Sequence, residues 1–287
     1  MKPQFDNQVM SSFLLWFDHT LLNDGEAYQN TTGQFYNVSD DYYGYHTYAS
    51  SYSQFVSDAS ITGATIPTGL YAGNTLVNVG EGGNNGLYAI DYGNGRSYWS
   101  GTQSNDVTGS FAIKDFNVYL TSRTEDEILF QTQYTNRNKI SSVVPTGLEQ
   151  DTKTYPVVYI KNDGSTNEPF AFGGQDNTVI DIRAVVIADS QFDIDAIGSL
   201  FRDYRQQNVC LFEAADMPFN QFGYYRNSQY NYTGSIANKG ADKQFFIEDV
   251  NVSRFDRVLE NEVRKFNPNV YSTLIDFEIS KIRFPRL

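Results

Sequence analysis

The residues able to do acid–base or nucleophilic chemistry are few, and their spacing argues against most of it. Only two histidines occur, His19 and His46. A Ser-His-Asp relay holds an imidazole between a hydroxyl and a carboxylate, and no serine here stands in a G-x-S-x-G turn. His19 follows Asp18 at the end of an apolar stretch, where a helix C-terminus favours such a side chain. His46 lies between Tyr45 and Thr47, without the further soft ligands that a zinc site needs. Paired carboxylates could cleave a glycosidic bond, and 34 Asp and Glu are available. The adjacent ones, Asp40-Asp41, Glu125-Asp126-Glu127 and Asp193 with Asp195, fall where acids solvate loops and helix starts. Asn23-Asp24-Gly25 and Asn162-Asp163-Gly164 do not continue into a calcium loop. Gly80–Gly86 lacks the Lys-Ser/Thr of a phosphate loop and reads as a turn. We therefore expect no catalytic residue, no metal ligand and no cofactor.

The tyrosines are a different matter. The chain has 21 Tyr and 21 Phe beside 3 Met and 2 Trp. Tyr clustered with Asn and Ser gives large contact area at low entropic cost, as in protein interfaces and sugar-binding platforms. Two segments, 28–55 and 217–233, have this composition and exceed ordinary loop lengths. The expected subunit-interface residues are Phe13, Trp16, Phe17, Tyr36, Tyr42, Tyr43, Tyr45, Tyr48, Tyr52, Phe222, Tyr224, Tyr225, Tyr230 and Tyr232.

Over 287 residues, 21 Lys and Arg oppose 34 Asp and Glu, a net charge of −13. Without a basic stripe, non-specific binding to nucleic-acid phosphate is disfavoured. The single cysteine, Cys210, allows no internal disulfide and reads as buried packing. No apolar run is long enough to span a membrane, and no signal peptide is expected at the first residues. Sequons at Asn30, Asn37, Asn231 and Asn251 are read as chance in an Asn- and Thr-rich chain.

Stepping along the chain, Met10, Phe13, Leu14, Phe17 and Leu21 share one helical face, predicting a helix over 7–22 that Asn23-Asp24-Gly25 stops. Residues 26–68 show little periodicity and read as an irregular or extended arm. Strands are expected at Leu87–Asp91, Arg96–Ser100, Phe111–Leu120 and Glu127–Tyr134, with Asn94-Gly95 as a two-residue hairpin signal. Later strands are expected at Tyr155–Ile160, Thr178–Ala188, Val209–Phe212, Gln244–Val250 and 271–284, with a loop around 162–174. Helices are expected over 193–206, capped by Asp189 or Ser190, and from Ser253 to Phe266, ended by Asn267-Pro268. The organisation is α+β: an N-terminal helix and Tyr-rich arm (1–68), a β-rich sandwich or barrel-like region (69–145), and a unit with two helices on a mostly antiparallel sheet (146–287).

Three sets of stretches look familiar. They are Phe5-Asp6-Asn7-Gln8-Val9-Met10-Ser11-Ser12-Phe13; Tyr92-Gly93-Asn94-Gly95-Arg96 leading to Lys114-Asp115-Phe116-Asn117-Val118-Tyr119; and Phe170-Ala171-Phe172-Gly173-Gly174-Gln175-Asp176 followed by Ile187-Ala188-Asp189-Ser190-Gln191-Phe192. They resemble virion structural proteins of tailed bacteriophages, particularly aquatic phages. The order of elements after Pro145 is similar to the α+β unit of head–tail junction proteins of the neck or tail-terminator type. That resemblance implies a non-enzymatic homo-oligomer, a ring of six or twelve copies. Its expected neighbours are a portal or adaptor and a tail tube or sheath, with DNA passing through its lumen. It also implies assembly in the host cytoplasm and no membrane. A carbohydrate- or receptor-binding module of a tail fibre or baseplate is the alternative, and a two-acid glycan-degrading enzyme a third.

Overall fold

The structure is a computed structural model and describes residues 4–39, 41–81, 83–131, 134–135, 153–171, 173–213, 215–218, 229–237, 239–255 and 270–284. Helix α1 spans Phe5–Asn23, and its burial runs almost all round, from Val9 through Phe13–Asp18 to Leu22. A helix apolar on every side belongs in a core rather than on a surface. Asn7 Oδ1 reaches back to the Gln4 N–H at 3.2 Å, and the Thr20 carbonyl takes the N–H groups of Asp24 and Gly25 at 2.9 and 3.2 Å. A Cβ on Gly25 would lie 2.6 Å from the Leu21 carbonyl oxygen, so the expected stop requires glycine.

Seven strands follow: β1 (Tyr28–Asn37), β2 (His46–Ser50), β3 (Gly69–Ala72), β4 (Thr75–Asn78), β5 (Leu87–Asp91), β6 (Arg96–Trp99) and β7 (Val107–Lys114). They form one antiparallel sheet in the order β4-β3-β7-β1-β2-β6-β5. The Gly80 N–H, just past β4, donates to Leu87 O in β5 at 2.8 Å, so the two edges meet and the sheet curls toward a barrel. Phe35, Phe55, Leu70, Ile90, Trp99 and Phe111 fill it. The segment 26–68, expected to be irregular, instead supplies β1 and β2; the pairing of β1 with β7 runs from Tyr28↔Lys114 to Phe35↔Val107. The Asn94-Gly95 signal does mark a hairpin, but its loop has four residues, between paired Asp91 and Arg96. Gly95 has φ 63°, and a Cβ there would meet the Tyr52 carbonyl oxygen at 1.8 Å.

Asp115 and Phe116 carry the chain into a second sheet. The expected strand Phe111–Leu120 is thus two strands in two sheets, because β8 (Asn117–Leu120) pairs in parallel with residues 157–160. Next come α2 (Glu125–Gln131), the short parallel pair β9 (Tyr134–Thr135) and β10 (Lys153–Thr154), β11 (Val157–Ala171), β12 (Gln175–Ala188), α3 (Gln191–Arg202), β13 (Gln207–Cys210), α4 (Tyr232–Ile236), β14 (Gln244–Arg254) and β15 (Tyr271–Arg283). The sheet order is β13-β14-β15-β12-β11-β8. The α+β expectation holds; the first sheet joins strands from both sides of residue 68, and β8 pairs with β11 from across residue 145.

α1 and α3 cover one face of this sheet: Phe13 meets Phe277 edge-on at 4.9 Å, and Phe17 stacks on Phe201 at 3.8 Å. Ser190 caps α3 by accepting the Asp193 N–H. On the other face, Ile128 of α2 packs with Tyr155, Val157 and Ile187. α2 replaces the strand expected over Glu127–Tyr134. Thr124 and Glu127 form a capping box: the Thr124 N–H donates to Glu127 Oε2 at 2.8 Å and the Glu127 N–H to Thr124 Oγ1 at 3.4 Å. Ser253, expected to open a helix, lies in β14; the rest of that expected helix, from residue 256 on, falls outside the described residues. Among the described residues, no helix is long and apolar enough to cross a membrane.

Candidate functional site

The nearest approach to catalytic geometry is at His19. Its Nδ1 lies 2.7 Å from Asp58 Oδ2, and since an ionised carboxylate only accepts, Nδ1 carries the hydrogen. Asp58 Oδ1 accepts from the Ser60 N–H at 3.0 Å, the Ser60 hydroxyl at 2.7 Å and the Tyr232 N–H at 3.0 Å. The Tyr232 ring stacks on the imidazole at 4.3 Å. A relay would put the serine on the far imidazole nitrogen, whereas Ser60 sits on the carboxylate. The group is a clamp that ties α1 to the 57–60 turn and to α4. Burial alone would raise the Asp58 pKa, but hydrogen bonds from His19, Ser60 and the Tyr232 N–H hold it below the ordinary value.

Glu125, Asp163 and Asp276 are engaged in the same structural way. Burial likewise works against ionised Glu125, and hydrogen bonds from Lys161 and Arg183 bring its pKa down. Asp163 and Asp276 contact Arg183 at 3.4 and 2.6 Å. The shifts at Asp58 and Glu125 favour ionisation, the opposite of what a proton-donating acid needs. His46 is half-buried and lies 3.3 Å from the exposed Asp41, and Asp40 is outside the described residues. Among the described residues no cluster of three His, Cys, Asp or Glu could hold a metal ion. Cys210 is half-buried, not fully packed away, and burial pushes its thiol pKa up.

The structure divides the expected interface residues sharply. Phe13, Trp16 and Phe17 are in the core, covered by Phe201 and Phe277, so they are not surface in this chain. Tyr48 and Tyr232 are buried as well. Tyr36, Tyr45, Tyr52 and Tyr230 are half-buried, and Phe222, Tyr224 and Tyr225 lie outside the described residues. Tyr42 and Tyr43 remain, 43% and 86% exposed.

These two open an aromatic platform at one end of the barrel. Tyr42 and Tyr45 exchange backbone hydrogen bonds of 3.0 and 2.9 Å around Tyr43-Gly44. Tyr42 stacks on Tyr98 at 4.8 Å, and Tyr45 on Tyr88 at 4.1 Å. Tyr43 and Gly44 have φ 50° and 81°, the left-handed pair of a type I′ turn, where Asn or Gly belongs at the first position. A bulky tyrosine there stores strain, with an edge-on contact to Tyr42 at 4.6 Å as its packing in return. Tyr43→Asn is accordingly expected to raise stability by about 1 kcal/mol, read as a later urea midpoint with unchanged slope.

A second feature lies where the sequence suggested a loop. β11 and β12 continue as a hairpin to its turn at Gly173-Gly174, paired from Val157↔Ile187 to Ala171↔Gln175. β8 covers only Val157–Ile160 of β11. From Lys161 to Ala171 the outer edge of β11 has no partner strand among the described residues. Lys161, Pro169 and the bulge between Asn162 and Gly164 are what edges carry to limit unwanted pairing. Ser165 Oγ donates to Asp6 at 3.0 Å and Arg283 lies 4.1 Å over the Phe5 ring, so α1 braces the arm from behind.

The third feature is a groove of about 550 Å3 between the end of α1, the β7–β8 connection and α3. Its floor includes Leu21, Phe116, Ile197 and Leu200, and Asp24, Glu26, Asp115, Asp193 and Asp203 stand along it. No protein-family model and no curated protein matches the chain.

Proposed function

We propose that the chain is a non-enzymatic assembly protein: a virion structural component of a tailed phage that forms a ring at the neck or head–tail junction, or serves as a tail terminator. The observation that carries this is the β11 edge from Lys161 to Ala171, which has no partner strand among the described residues and is held out on an arm that α1 braces. Such an edge takes a strand from a neighbour through main-chain hydrogen bonds. A ring needs two different surfaces per subunit, and the tyrosine platform on the barrel gives the second. Neighbouring virion proteins would meet the same surfaces. On the face of the arm away from α1, Asp163, Asp181, Asp249, Asp276 and Glu278 outnumber Arg183 along one pocket, a surface suited to letting DNA slide past without sticking.

Native mass spectrometry tests the reading. The full chain is expected as a ring of six or twelve copies, and Thr166→Lys with Glu168→Lys on the free edge is expected to reduce it to the 32.5 kDa chain. A wild-type monomer at all concentrations, or rings unchanged by the double substitution, would overturn it. A trimer would favour the second reading, a carbohydrate- or receptor-binding module of a fibre or baseplate. The specific support for that reading is the platform, where Tyr43, 86% exposed and edge-on to Tyr42 at 4.6 Å, occupies a strained backbone position.

A further inference from the structure

We infer that the groove between α1 and α3 is a docking site for a basic, amphipathic segment of a partner protein, one that places an apolar side chain on the floor and Lys or Arg at the rim. The inference is independent of the β11 edge. A volume of about 550 Å3 is within the range of sites that enclose a ligand. Its floor is apolar, from Leu21 and Phe116 to Ile197 and Leu200, and Phe192 stands at its lip 80% exposed. A lone exposed Phe means little, but one continuous with an apolar groove leaves a larger surface whose burial is favourable.

Charge selects the occupant. Asp24, Glu26, Asp115, Asp193 and Asp203 line the groove, and among the described residues no Lys, Arg or His lines it. The adjacent Arg202 lies 3.9 Å from Asp203, one cation beside five carboxylates, and Lys114 is held by Asp18. An acidic or neutral apolar segment would leave the excess of negative charge along the groove as it is, whereas a basic one offsets it while its apolar side chain leaves water. Tyr204 donates its hydroxyl to Asp24, so part of the rim is already fixed in place.

The test uses the full chain and a labelled seven-residue peptide, Lys-Leu-Leu-Lys-Leu-Leu-Lys, with its Glu-for-Lys counterpart, followed by fluorescence anisotropy. The Lys peptide is expected to bind and the Glu peptide not to. Ala196 lies on the exposed face of α3 within the groove, so Ala196→Arg should fold normally and weaken binding by about tenfold or more, whereas Leu76→Arg, the same charge change on β4, should weaken it by less than about threefold. Phe192→Ser, at a side chain with few contacts to lose, should also weaken it. Equal losses in the two Arg variants would show long-range charge attraction alone and overturn the inference, as would absence of Lys-peptide binding. Self-association that Ala196→Arg abolishes, with no peptide bound, would also overturn it by making a second copy the occupant. Ring mass is read separately, so this proposal and the assembly reading can fail independently.

Discussion

Asp58→Ala is expected to cost about 3–5 kcal/mol, measured as a loss of unfolding free energy in urea. Asp58 is fully buried. Its removal leaves the Ser60 and Tyr232 N–H groups and the His19 Nδ1–H without the acceptor they share, and each orphaned buried donor carries its own desolvation cost. The carboxylate also sets an acid limit. Because its folded pKa lies below the unfolded value, ionised Asp58 contributes stability that is present above about pH 4 and is lost as pH falls through the folded value. Asp58→Asn keeps the shape without the charge. Its stability should therefore fall less steeply than that of the wild type between about pH 5 and pH 2. Parallel acid limbs in wild type and Asp58→Asn would refute the assignment.

The second large effect is at the ion pair joining α1 to β7. Lys114 Nζ lies 2.6 and 2.8 Å from the two oxygens of Asp18, with both side chains only 3% exposed. Lys114→Met leaves a buried carboxylate without this partner and is expected to cost about 3–5 kcal/mol. The double change Asp18→Leu with Lys114→Met removes both charges and should recover most of that loss, since apolar replacements of buried pairs are often neutral or stabilising. Additive losses in the double variant, read by urea unfolding, would mean that the charges act separately.

Neither contact was readable beforehand, for a physical reason. Asp18 and Lys114 are 96 residues apart and His19 and Asp58 39 apart, and periodicity reports the face a residue occupies, never the group it will meet. Periodicity did place α1 within two residues of its ends, because a nearly all-apolar helix has few alternatives. It failed on β1, whose pattern of Tyr, Gln, Asn and Thr leaves only Phe35 fully buried, so the chain shows no strand alternation there. It failed again on the arm, where the residues of β11 beyond Lys161 are largely exposed on both faces and read as loop. The α2 helix could have been found: Thr124-Glu125-Asp126-Glu127 has the spacing of a capping box. Phe13, Trp16 and Phe17 read as contact surface in the sequence because an apolar stripe looks the same whether a neighbour or the chain's own β15 covers it. Tyr42, Tyr43 and Tyr45 were picked out by composition, and the turn that strains Tyr43 came only with the backbone.

The packing of Phe13 against Phe277 has a consequence in time. α1 is made about 250 residues before β15, the strand that covers it. At cellular synthesis rates that gap is roughly 10–50 s. Throughout it, Phe13, Trp16 and Phe17 lack the strand that completes their burial. The nascent chain must keep its most apolar helix out of wrong associations until the ribosome has almost finished, which makes yield sensitive to chaperones and to translation speed. Final stability would not report this hazard.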